Sequence, residues 1–100
     1  MKLVWSTRAV AELHDIRRYS FKRWGRSVAI SYMRDLRDAA KAAARNPETA
    51  RPLRGPWKRV RARSHILVCY LDEPGDRFVI ARVLHGAMDI ERHLPPDPRS

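Results

Sequence analysis

Cysteine is almost missing from this chain. Cys69 is the only one in 100 residues, so no internal disulfide can form, and the expected compartment is a reducing one, the cytoplasm. No apolar run approaches the ~20 residues that cross a bilayer, which excludes a membrane helix. "MKLVW" has one lysine and no long apolar region behind it, so a secretory signal is not expected either. Internal repeats, low-complexity tracts and interdomain linkers are also missing. These absences leave a single domain, read as residues 1–94, with "PPDPRS" (95–100) as a frayed tail. A chain of this length buries ~65% of its unfolded surface, enough for one modest core.

Acidic residues are the other shortage. Lysine and arginine number 21 against 11 aspartates and glutamates, a net charge of +10. Residues 1–50 hold 11 basic and 5 acidic residues and residues 51–100 hold 10 and 6, so both halves are basic. Arginine dominates, and its planar fork matches carboxylates and phosphates. Such a chain calls for an acidic partner, a nucleic acid or an acidic protein segment. The bland alternative is a solvated basic surface.

The hydrophobic pattern changes period midway along the chain. "KLVW" reads as a short strand, and Ser6 stands where an N-cap belongs. Ala9, Leu13, Ile16, Ser20 and Trp24 then recur at steps of three and four, one face of a helix that Gly25 ends. A second stripe, Ala29, Tyr32, Met33, Leu36, Ala40 and Ala43, runs through "AAKAAAR" and stops before Pro47. Two helices about one glycine make an antiparallel hairpin. Residues 46–57 hold three prolines and Gly55 and read as loop. Alternation follows: Arg59, Arg61 and Arg63 on one strand face, Val60 and Ala62 on the other. "HILVCYL" (65–71) reads as a central strand, "EPGD" (73–76) as a turn, and "RFVIARVL" (77–84) as the returning strand. The order β-α-α-β-β-β gives an α+β fold, a helical hairpin packed on a mostly antiparallel sheet. Both faces of the last two strands are apolar, yet one hairpin covers one face. The preferred cover for the second face is a partner, the alternative being the chain's own tail.

The whole pattern resembles the ParE toxins of bacterial type II toxin–antitoxin systems, within the RelE/ParE superfamily. The resemblance rests on "LVWSTRAVAELHDIRRYSFKRWG", "AISYMRDL", "RSHILVCY" and "RVLHGAMDIERHL", and so on nearly the whole chain. Its most specific pieces are Trp24-Gly25, Ser64-His65, Arg82-Val83-Leu84-His85, Met88-Asp89 and His93-Leu94. It implies a small cytoplasmic toxin held by an acidic ParD-like antitoxin, whose partly disordered segment would supply both the acidic partner and the cover for the second face. It implies DNA gyrase as the target, by protein contact. The RelE branch instead implies a ribosome-dependent mRNA endonuclease. The lysine cluster near a C-terminal tyrosine that marks that branch is absent, Lys58 being the only lysine after Lys41 and Tyr70 the last tyrosine.

Metal-independent RNA cleavage needs a base, an acid and cations around the phosphate. The candidates are His85 or His65, with Arg61, Arg63 and Arg82 as clamps. Strict alternation puts His85 and Arg82 on opposite faces, and the bland alternative is that both histidines cap strands. Arg51, Arg54, Lys58, Arg59, Arg61 and Arg63 form a run without an acid between its ends. It suits antitoxin carboxylates or phosphates, or else a charged edge strand that blocks pairing. The expected antitoxin or target contacts are therefore Arg54, Trp57, Arg59, Arg61, Arg63, Arg82 and His85, with Trp57 a weak stacking candidate beside the run. Cys69 reads as an inert core residue. His85, Asp89 and His93 lack a recognised metal spacing, so no metal or cofactor is expected.

Overall fold

The computed structural model describes residues 1–98. Strand β1 (Lys2–Trp5) leads into α1 (Thr7–Trp24) and α2 (Arg26–Arg45), and then into a 3-10 turn (Pro47–Thr49). Strands β2 (Arg51–Pro52), β3 (Lys58–Ala62), β4 (His65–Asp72) and β5 (Arg77–His85) follow, and a second 3-10 turn spans Ile90–His93. The five strands form one sheet in the order β1-β5-β4-β3-β2. Only β1 and β5 run parallel; the other neighbours are antiparallel. The expected α+β architecture is present, with the two helices packed on the sheet. The loop reading of residues 46–57 was too coarse, because β2 adds an edge strand there and pairs Arg51 with Arg59.

The helix boundaries follow the local chemistry. The Ser6 hydroxyl oxygen accepts from the Ala9 N–H at 3.0 Å, taking up a donor the first turn leaves free. Gly25 serves both helices. Its N–H donates to the Phe21 carbonyl and its carbonyl accepts from the Ala29 N–H. Its φ of +88° suits a residue without Cβ. The stripe of α2 is buried as its period requires, from Ala29 through Leu36 to Ala43. The stripe of α1 is buried at Ala9 and Ser20, but Trp24, placed on it by the same period, is 50% exposed. One turn beyond Ser20, Trp24 stacks on Tyr32 at 6.4 Å and leaves its other face to solvent.

Alanines from α2 and Leu67, Cys69, Phe78, Ile80 and Val83 from the sheet make the main core between the layers. The opposite sheet face carries a second core of Ile66, Val68 and Leu84, closed by Trp57 and Ile90 with Leu53 and Leu94 against it. The expectation that a partner covers this face is therefore corrected. The chain covers it with its own loop before β3 and its C-terminal turn. The loop is held by the Leu53 N–H donating to the Trp57 carbonyl and the Trp57 N–H to the Arg54 carbonyl. Pro95, Pro96 and Asp97 line a cavity together with Arg54 and Trp57, so that part of the expected tail lies against the loop. Its last two positions, Arg99 and Ser100, lie outside the described residues.

Candidate functional site

The end of β5 reveals two different environments three residues apart. Strand β1 pairs with β5 only as far as Ile80, so the backbone edge from Ala81 onward needs other partners. Helix α1 supplies them: the Ser6 hydroxyl donates to the Ala81 carbonyl at 2.8 Å, and the Val83 N–H donates to Glu12 Oε1 at 2.8 Å. The same carboxylate takes Arg82 Nη2 at 2.8 Å and Nε at 3.1 Å, while Arg82 Nη1 donates to the His93 carbonyl at 3.1 Å. The Arg82 and Glu12 side chains are only 11% and 19% exposed. Arg82 is thus a clasp joining α1, β5 and the C-terminal turn, and each of its three guanidinium nitrogens is already engaged. It is not free to clamp a phosphate as the sequence suggested.

His85 lies on the other side of the strand. It pairs directly across the ladder with His65, and the two imidazole rings meet edge to face with centroids 5.3 Å apart. His65 Nδ1 is 2.6 Å from the Tyr32 hydroxyl. That hydroxyl oxygen also accepts the Ser64 N–H at 3.2 Å. The Ala87 N–H donates to His85 Nδ1 at 3.0 Å. His85 therefore uses Nδ1 as an acceptor and keeps Nε2–H as its donor, while His65 shares a hydrogen bond through Nδ1 with the Tyr32 hydroxyl. Burial pushes the His65 pKa below its ordinary value, and the neighbouring His85 adds to the effect.

Aromatic rings from the helices complete the cluster. Tyr32 stacks obliquely with Trp24 at 6.4 Å, and Trp24 meets Tyr19 edge to face at 5.8 Å. Between them and the histidines opens a cavity of about 530 Å³, with Asp15 at its rim. The guanidinium of Arg63 sits 5.3 Å above the Tyr32 ring and bonds Asp35 at 2.6 Å.

The predicted site residues are thus only partly brought together. Arg63 does not continue the strand alternation. Its φ of +56° turns the chain between β3 and β4, so its side chain reaches α2 and leaves the face of Arg59 and Arg61. Arg59 and Arg61 stand opposite Val68 and Ile66, on the sheet face away from the helices. Arg61 does reach the His85 corner: a methyl built on Gly86 would lie 3.6 Å from its guanidinium nitrogens. Arg54, Arg59 and Arg61 are exposed. Trp57, 5% exposed, is core and presents no open ring for stacking. Sequence reasoning missed Glu12, Tyr19, the exposure of Trp24 and the bond from the buried Tyr32 to His65. Glu12 falls off the apolar stripe and stands 70 residues from Arg82, so no local pattern announces it.

Cys69 is buried, its thiol pushed up to about 12 by burial against a smaller opposing pull from Lys58. Among the described residues no group of three or more His, Cys, Asp and Glu is placed to hold a metal ion. No helix among them is long and apolar enough to cross a membrane.

Comparison with known proteins agrees with this geometry. Residues 3–90 match the family model described as ParE toxin of type II toxin–antitoxin system, parDE. The Toxin ParE1 of Caulobacter vibrioides is 37% identical over 92 residues, covering 89% of this chain and 93% of that protein. The Toxin ParE1 of Mycobacterium tuberculosis is 36% identical over the same shares. Among solved structures, a chain of the chromosomal ParDE toxin–antitoxin system from P. aeruginosa superposes with a TM-score of 0.75 at 19% identity. It covers 85% of this chain and 95% of that one. The YoeB/ParE toxin from Agrobacterium tumefaciens gives 0.61 at 19% identity, covering 85% and 98%. The two structures share the fold; the family match and the relatives more than a third identical carry the assignment, and the chain belongs to the ParE toxin family of type II toxin–antitoxin systems.

Proposed function

We propose that this ParE-type toxin acts by contact with DNA gyrase and is neutralised by an acidic, ParD-like antitoxin. The observation that carries the non-enzymatic reading is the dispersal of the nuclease candidates. Arg82 is spent on Glu12 and Arg63 pairs with Asp35, so that of the three clamps only Arg61 is left to reach the His85 corner. A phosphoryl-transfer site needs its acid, base and cations held around one phosphate. The antitoxin partner follows from charge. Arg54, Arg59 and Arg61 are exposed on a chain of net charge +10 and suit bidentate contact with carboxylates. Arg63 and His85 are exposed and available to the same partner, while Trp57 and Arg82 serve from below by holding the loop and the C-terminal turn. The toxin unit is residues 1–94, acting in the cytoplasm, where the lone buried thiol stays reduced.

The facing imidazoles favour a second reading, a metal-independent RNA endonuclease with His85 as acid or base. Single-turnover cleavage on programmed ribosomes, run beside a gyrase supercoiling assay, separates the two. The expected result is gyrase inhibition by wild type and by His85→Ala, the variant losing only what it loses in affinity, with no cleavage by either. Cleavage by wild type that falls about 10²–10⁴-fold in the variant would overturn the contact reading.

A further inference from the structure

The cavity between the helical hairpin and the histidine pair is not used by the clasp at Arg82, nor by the exposed arginines of β3. We propose that it is a binding site for an unpaired base of single-stranded nucleic acid, with the flanking backbone held by Arg61. Three observations converge on this occupant. The first is the wall. Trp24 and Tyr19 are 50% and 61% exposed, large rings left in water near the tip of the hairpin. They stand in an edge-to-face pair beside Tyr32, so a planar ring entering the cavity meets π-faces that are already positioned.

The second observation is the polar inventory. Each imidazole spends Nδ1 on a fixed partner, the Tyr32 hydroxyl or the Ala87 N–H. Each leaves Nε2 without a partner among the described residues, a donor on His85, in a ring that lines the cavity. Asp15 supplies the acceptor, its carboxylate held at 2.6 Å by Arg18. A donor and an acceptor on aromatic walls match the edge of a nucleobase, whereas an aliphatic side chain would leave these groups without partners. The cavity's 530 Å³ is ample for one base.

The third observation is charge. Arg63 over Tyr32 is paired with Asp35, whereas Arg61 reaches Gly86 beside His85. Arg61 has no ion-pair partner among the described residues. A phosphodiester backbone leaving the cavity over the His85–Gly86 corner would meet that free guanidinium. This site does not depend on gyrase being the target, and it requires no bond to be made or broken.

The test measures fluorescence anisotropy with the full chain and two labelled strands of about a dozen nucleotides, oligothymidylate and an abasic strand of equal length and charge. Wild type should prefer the base-containing strand by roughly 5- to 150-fold, the range of one base–aromatic stack. Trp24→Ala, and separately Tyr19→Ala, should erase most of that preference while leaving abasic affinity unchanged. Arg61→Gln should weaken both strands alike and lower the salt slope by about 0.7. Circular dichroism and melting confirm that each variant folds. Equal binding of the two strands by wild type would overturn the proposal. So would a preference that survives in both folded aromatic variants. An acidic peptide with an aromatic tip that protects Trp24 from oxidation, when the oligonucleotide does not, would overturn it in favour of a protein ligand.

Discussion

On one side of the sheet two long helices close the core with alanines set against Leu67, Phe78 and Ile80. On the other side a short loop and one 3-10 turn do the same over Ile66, Val68 and Leu84. The thick side has cooperative depth, since each helical residue is held by its neighbours as well as by the sheet. The thin side depends on Trp57 and Ile90, carried by segments with few backbone bonds of their own. Stability of this second kind is local and opens below the global unfolding free energy. The difference also sorts function. The thin side carries the free arginines of β3, and the thick side leaves a cavity beside Trp24.

The strongest way to break this comparison is to cut one residue from each side. Leu36→Ala, at a fully buried position, should cost about 2–5 kcal/mol of global stability in denaturant melts. Ile90→Ala should fall at the low end of that range. It should also release hydrogen-exchange protection at the Trp57 loop before the helices. Equal loss of protection on both sides would mean the sheet has one cooperative cover instead of two.

The clasp joins the two sides, so its removal should be nearly as costly. Glu12→Gln leaves Arg82 a poorly compensated charge and should destabilise by about 3 kcal/mol, the lower range for breaking a buried pair. The double variant Glu12→Gln with Arg82→Met should recover part of that loss. If the single variant melts like wild type, solvent reaches the pair more freely than its burial indicates.

A smaller, pH-dependent effect should separate the cavity from the rest of the thick side. The His65 pKa is lowered in the folded state by burial, then by His85, so below the ordinary value of about 6.5 the unfolded chain takes up a proton the folded chain resists. That contribution is present in full above pH 6.5 and is lost as the pH falls toward the depressed folded value. Tyr32, His85 and the Arg63 guanidinium over Tyr32 face or flank this ring. The melting temperature should decline from pH 7 to pH 5, and His65→Gln should flatten that decline. An identical slope in the variant would place the pH dependence elsewhere.

The smallest effect belongs to the exposed pair Arg18–Asp15, whose side chains are more than two-thirds in water. Arg18→Ala should leave the melting temperature unchanged within error. A measurable drop would show the hairpin tip to be more tightly packed than its exposed rings suggest.

Much of this was legible in the residues. Ser6, Gly25 and the stripe from Ala29 to Ala43 specify the hairpin through capping, a positive φ and period, all local terms. "HILVCYL", "EPGD" and "RFVIARVL" specify the central ladder in the same way, and with "RVLHGAMDIERHL" they sufficed for the family resemblance. The sequence by itself determined the element order, the basic charge and the lone thiol, because each depends on near neighbours or composition. Only the tertiary structure decided what Arg82, Trp57, Arg63 and Trp24 do. Arg82 needed Glu12 from a distant helix, Trp57 was drawn into a face that alternation left open, and Arg63 took the positive φ of a turn. Trp24 stayed half in water because its ring partners are Tyr19 and Tyr32 and a cavity separates it from the sheet. In each case the deciding quantity is where distant segments end relative to one another, which no periodicity within a segment records.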